Sequence, residues 1–172
     1  MNKISKKVWI AVVAVVAVLV VVIVGVNVLG GTSDYQGTLK KFAKAFESND
    51  YGKIEGMASS ISEKVYGQYG DAKEQYKRLL NETKENYKNV VGEITKISYK
   101  VSSERELDES RLEELKDNLK AEYDMDTSKI EKIMQVVVEV SVDGKETSSD
   151  FSETIFFVKE SGGWKIHVGY LP

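Results

Sequence analysis

Val136-Val137-Val138-Glu139-Val140-Ser141-Val142-Asp143-Gly144 is the stretch on which the fold class turns. Side chains alternate across a strand, so Val136, Val138, Val140 and Val142 share one face, and Val137, Glu139, Ser141 and Asp143 share the other. Asp143-Gly144 is a turn dipeptide, and the chain reverses there or within the polar tract Lys145 to Asp150. A further strand then runs from Phe151 to Glu160 and turns at Ser161-Gly162-Gly163. The last strand places Trp164, Ile166, Val168 and Tyr170 on one side, with Lys165, His167, Gly169 and Leu171 on the other. Three strands joined by tight turns form an antiparallel meander, and its apolar face needs a cover.

The cover lies upstream. Leu39, Phe42, Ala43 and Phe46 fall at helical spacing, on a helix that begins near Asp34 and ends at Ser48-Asn49-Asp50. A short helix with Ile54, Met57 and Ala58 inward follows. A longer one starts around Asp71, buries Ala72, Tyr76, Leu79, Leu80, Thr83 and Tyr87, and is stopped by Gly92. Ile97, Tyr99 and Val101 alternate with Ser98 and Lys100, which predicts a strand over about Glu93 to Ser102. Leu112, Leu115, Leu119 and Tyr123 mark a charged helix from about Glu109 to Tyr123, with Glu106, Asp108 and Glu109 near its positive end. Residues 34–172 are thus expected to form one α+β domain, long enough to enclose a hydrophobic core.

Residues 8–29 have a different chemistry. From Val8 to Val26 no charged or strongly polar residue occurs, and only Asn27 interrupts the stretch to Leu29. At about 1.5 Å of rise per residue the run reaches about 33 Å, enough to cross a hydrocarbon core of roughly 30 Å. Valine is a mediocre helix former in water, but in lipid the backbone must satisfy its own hydrogen bonds, and a helix is the single-segment way to do so. A cleaved signal peptide shares the basic start, yet its apolar region is usually about 7 to 15 residues long, and Val28-Leu29-Gly30-Gly31 is a weak cleavage site. A buried soluble helix would show a polar face, and this stretch has none. Lys3, Lys6 and Lys7 precede the run and Trp9 suits the membrane interface, whereas the first basic residue after it is Lys40. The expectation is a cytoplasmic N-terminus (residues 1–7), a transmembrane helix in the lipid bilayer (8–29), a linker (30–33) and an extracytoplasmic domain (34–172).

Charge and inventory narrow the function classes. The net charge is −3, and because Lys3, Lys6 and Lys7 lie before the span, the domain is more acidic than the whole chain by those three charges. Such a surface does not suit nucleic acid or anionic lipid. The absence of cysteine excludes disulfides, thiolate metal sites, a thiol nucleophile and lipidation through a lipobox.

Phe42, Ala43, Phe46 and the Asn49-Asp50-Tyr51 break, followed by strands ending in Gly162-Gly163-Trp164-Lys165-Ile166, resemble the NTF2-like (cystatin-like cone) superfamily. Within it the chain is similar to small membrane-anchored exported proteins of Gram-positive bacteria, whose function is unknown. The resemblance implies helices packed on a curved antiparallel sheet. The acidic helix between the first strand and the meander departs from that pattern and is expected to close the cone.

Family enzymes resembling ketosteroid isomerase need a carboxylate and hydrogen-bond donors converging in an apolar cone. Tyr66, Tyr69, Tyr76, Tyr99 and Tyr170 offer phenols, but they read more simply as core and rim residues with wet hydroxyls, and no Asp or Glu is expected on an apolar stripe. His167, the sole histidine, is expected exposed or half-buried opposite Trp164. Glu104, Glu106, Asp108, Glu109, Glu113, Glu114 and Asp124-Met125-Asp126 lack the loop glycine and the terminal bidentate glutamate of an EF-hand and read as solvated surface. Asn81-Glu82-Thr83 matches a glycosylation sequon inside a helix. No catalytic, cofactor-binding or metal residue is therefore assigned; Lys3, Lys6, Lys7 and Trp9, which flank the membrane anchor, are the residues singled out. The expected function is a non-enzymatic binding or assembly module with an envelope protein partner. The alternatives are an architectural subunit of a secretion or conjugation channel, and a small-molecule binder or cryptic enzyme using the cone.

Overall fold

A computed structural model describes residues 35–167, 169 and 171. The expected anchor over residues 8–29 and its flanks Lys3, Lys6, Lys7 and Trp9 lie outside the described residues. Among the described residues, no helix is long and apolar enough to cross a membrane.

The described chain is α+β: α1 (Tyr35–Glu47), α2 (Tyr51–Met57), α3 (Ser60–Gly67), α4 (Ala72–Val91), β1 (Ile94–Glu106), α5 (Glu109–Tyr123), β2 (Ile130–Gly144), β3 (Ser148–Glu160) and β4 (Gly163–His167). The sheet has the order β1-β2-β3-β4, with every neighbouring pair antiparallel. Ala58 forms an isolated parallel bridge to Ile166 on the outer flank of β4.

Helix ends follow their local chemistry. Asp71 caps α4 by accepting from the Glu74 N–H at 3.1 Å, and Gly92 ends it at φ +77°, where a side chain would be strained. Asp108 caps α5 by accepting from the Arg111 N–H at 3.0 Å. Where the sequence suggests one short helix there are two: Ala58 is extended, and Ser59 restarts the chain as α3 by accepting from the Ser62 N–H at 3.2 Å.

Both faces of the sheet carry apolar cores. Val136, Val138, Val140 and Val142 are fully buried, as the alternation requires, and pack with Leu39, Phe42, Phe46, Leu80, Tyr87 and Phe157 beneath α1, α2 and α4. Across the sheet, Glu139 is exposed and pairs with Lys100 at 3.9 Å. A second core forms at the end of that opposite face. There Leu112, Leu115 and Leu119 of α5 cover Ile130, Ile133 and Val158, joined by Ile61 of α3. Ile133 and Val158 face each other in register, one residue out of phase with the inner pair Met134 and Phe157.

This arrangement corrects the expected place of the acidic helix. β1 extends to Glu106 rather than stopping near Ser102, and β2 starts at Ile130, so the connection leaves the sheet where the outer face is apolar. Helix α5 therefore covers the back of the sheet and does not close the cone. A register shift between Val101 and Ser103 lets β1 run this far, setting Glu104 opposite Val136 on the inner side. The Tyr35 hydroxyl donates to Glu104 there.

Candidate functional site

Two buried polar sites lie on opposite faces of the sheet. On β3, Phe151, Glu153, Ile155 and Phe157 alternate toward the inner core, which puts a carboxylate on an apolar stripe. Glu153 is only 5% exposed and Tyr87, from the C-terminal half of α4, only 2%. The Tyr87 hydroxyl donates to Glu153 Oε1 at 3.1 Å, and its ring packs on Phe151 with centroids 4.6 Å apart. Val138 lies beside Glu153 in register, and Val101 follows Val138 in the same row.

Burial raises the Glu153 pKa to about 7, against the Tyr87 hydrogen bond, which favours the ionised form. Burial, then the neighbouring carboxylate, pushes the Tyr87 phenol up as well. A carboxyl that is neutral over part of the ordinary pH range can donate as well as accept. The expectation that no acid lies on an apolar stripe is thus overturned by Glu153. The signal was present in the i, i+2 spacing of Phe151, Ile155 and Phe157, but Phe156 and Val158 on the other phase obscured which face was inward.

The second site is on the back. His167 is in register with Phe156 and 1% exposed, so it is neither exposed nor half-buried as the sequence suggested. Its face is covered because α3 and α5 pack there, and the alternation within β4 alone carried no sign of that. Ser62 Oγ and His167 Nδ1 share a hydrogen bond at 2.9 Å, and Ser59 Oγ donates to Ser62 Oγ at 3.3 Å, all three residues being buried. Ser62 lies in the first turn of α3 and His167 closes β4, so the pair ties helix to strand.

The tyrosines divide. Tyr69 is exposed and Tyr99 half-buried, in keeping with rim positions, whereas Tyr76 is 2% exposed and its hydroxyl is enclosed, so that its pKa is pushed well up by burial. Burial also raises the Tyr66 phenol to about 12, where its ring meets Tyr76 edge-on at 5.5 Å. Tyr170 lies outside the described residues.

The acidic residues stay on the surface. Glu104, Glu106, Asp108, Glu109, Glu113, Glu114, Asp124 and Asp126 are all exposed, and among the described residues no group of acids and histidine is placed to hold a metal ion. Glu106 pairs with Lys132 at 2.9 Å and Glu113 with Lys116 at 2.8 Å. Within the sequon, the Asn81 carboxamide accepts from Tyr51 and the Thr83 hydroxyl donates to the Leu79 carbonyl at 3.0 Å inside α4.

No protein-family model matches this sequence, and no curated protein matches it.

Proposed function

We propose that the chain is a single-pass membrane protein whose NTF2-like domain stands outside the cell membrane and acts as a binding or assembly module rather than an enzyme. Support for the anchor comes from the uninterrupted Val8–Val26 run behind Lys3, Lys6 and Lys7. Support for the NTF2-like assignment comes from α1, α2 and α4 gathered on the inner face of a long antiparallel sheet, with the break at Asn49-Asp50-Tyr51 where the resemblance needs it.

One observation carries the non-enzymatic reading. The inner-face acid and phenol, Glu153 and Tyr87, are hydrogen-bonded to each other within a packed core that also holds Phe42, Phe46 and Phe157 at 0% exposure. Groups so engaged lend themselves to scaffolding, and the partner-binding surface is then the outside of the domain. The same pair favours a second reading, a small-molecule binder in the cone, because a raised carboxyl among apolar side chains is the kind of group such a site uses.

Photocrosslinking separates the two. With a photoreactive residue in place of Tyr69 or Val90, exposed by 69% and 49%, the full chain in native membranes should yield discrete adducts with an envelope protein. Channel proteins among the adducts would favour the architectural reading. No adduct at either position, together with thermal stabilisation by a small apolar ligand, would contradict the module and leave the binder.

A further inference from the structure

We propose that Glu153 and Tyr87 form a proton-operated latch that fastens the C-terminal part of α4 to the inner face of the sheet. Tyr87 lies four residues from the end of α4 at Val91 and reaches a strand 66 positions away in sequence. It supplies a hydrogen bond that joins this end of the helix to β3.

The groups facing the latch are few. From α4 it is Tyr87; Lys84 turns instead to the Phe46 carbonyl and Asn49, and Lys88 pairs with exposed Glu85 at 2.6 Å. From β2 and β1 the same row presents Val138 and Val101. The next row holds Glu104, which takes the Tyr35 hydroxyl, and the row on the other side holds the half-buried phenol of Tyr99. Within β3, Asp150 is exposed. No cation faces the carboxylate among these residues. β4 pairs only with Phe156–Glu160, so β3 at Glu153 is hydrogen-bonded on the β2 side and not by β4.

With the proton on, Glu153 sits in its apolar row at little cost. With the proton off, a single phenol donor does not replace the water that a carboxylate needs. Displacing the last turns of α4 restores that water. The folded domain keeps a proton that the unfolded chain releases near 4.5, so the stabilisation is complete below that value and lost as pH rises through about 7.

Hydrogen exchange on the full chain in detergent micelles tests the latch, with rates corrected for intrinsic pH dependence. Between pH 5 and 8, protection of the amides of residues 83–91 should fall by on the order of tenfold to hundredfold in the wild type. The same amides should show no such fall in Glu153→Gln. In Tyr87→Phe the midpoint should move to higher pH, because the donor that favours ionisation is gone. His167 remains in both variants and lies on the opposite face of the sheet, hydrogen-bonded to Ser62 of α3 rather than to α4. An equal fall in Glu153→Gln overturns the latch, as does a fall spread evenly over the domain. Should Glu153→Gln fail to fold, the Tyr87→Phe midpoint decides alone, and an unchanged or lowered midpoint overturns it.

Discussion

Gly144→Ala should destabilise the domain by on the order of 3 kcal/mol. Gly144 closes β2 directly beneath the end of α4, where a Cβ would overlap the Val91 carbonyl oxygen and come within 2.6 Å of its carbon and 2.7 Å of its Cγ2. Backbone cannot rotate aside as a side-chain tip can. The same junction is tied by the β2–β3 turn, where the Glu146 N–H donates to Val91 O at 3.2 Å and the Gly144 N–H to Thr147 O at 2.9 Å. Relief would therefore have to separate α4 from the β2–β3 turn. Gly162→Ala is the control: nothing lies within 4 Å of a Cβ there, and its effect should stay within about 0.5 kcal/mol. Calorimetry of the full chain in detergent measures both; equal melting temperatures for the two variants would show that α4 and the turn are not in rigid contact.

Phe157→Ala should cost about 3 to 5 kcal/mol, the usual range for removing a fully enclosed aromatic ring. Phe157 is 0% exposed, lies between Met134 and Ile166 in register, and meets the Tyr35 ring at 5.0 Å. It thus links three strands to the first helix, and no neighbour can fill the space without moving one of them. Phe156, the adjacent residue on the other phase, is half-buried against the second core, so Phe156→Ala should cost less. Chemical denaturation that ranked the two in the opposite order would mean that the phase of β3 is reversed.

The inner core was legible because its periodicities are unmixed. Val138, Val140 and Val142 of β2 alternate with Glu139, Ser141 and Asp143, and α4 is bounded by an Asp cap and a Gly stop, so face and ends follow from single residues. Legibility failed where two faces of one strand are both apolar. The start of β2 and the end of β3 carry Ile133, Met134, Phe157 and Val158 in succession on both sides, and sequence spacing alone does not say that α5 covers the back. The same overlap concealed Glu153 and made His167 read as exposed or half-buried. Helix α3 was missed because its polar start, Ser59-Ser60 and Ser62, hides the Ile61 and Val65 spacing that buries it. In each case a tertiary contact, not a local propensity, settled the burial.

The proposed location of the domain outside the membrane rests on the lysines before residue 8 and is tested most directly by protease added to intact protoplasts. The orientation proposed here requires the domain from residue 34 onward to be digested from outside while a short anchored fragment stays with the membrane. Full-length protein that survives intact and is cut only after lysis would contradict it.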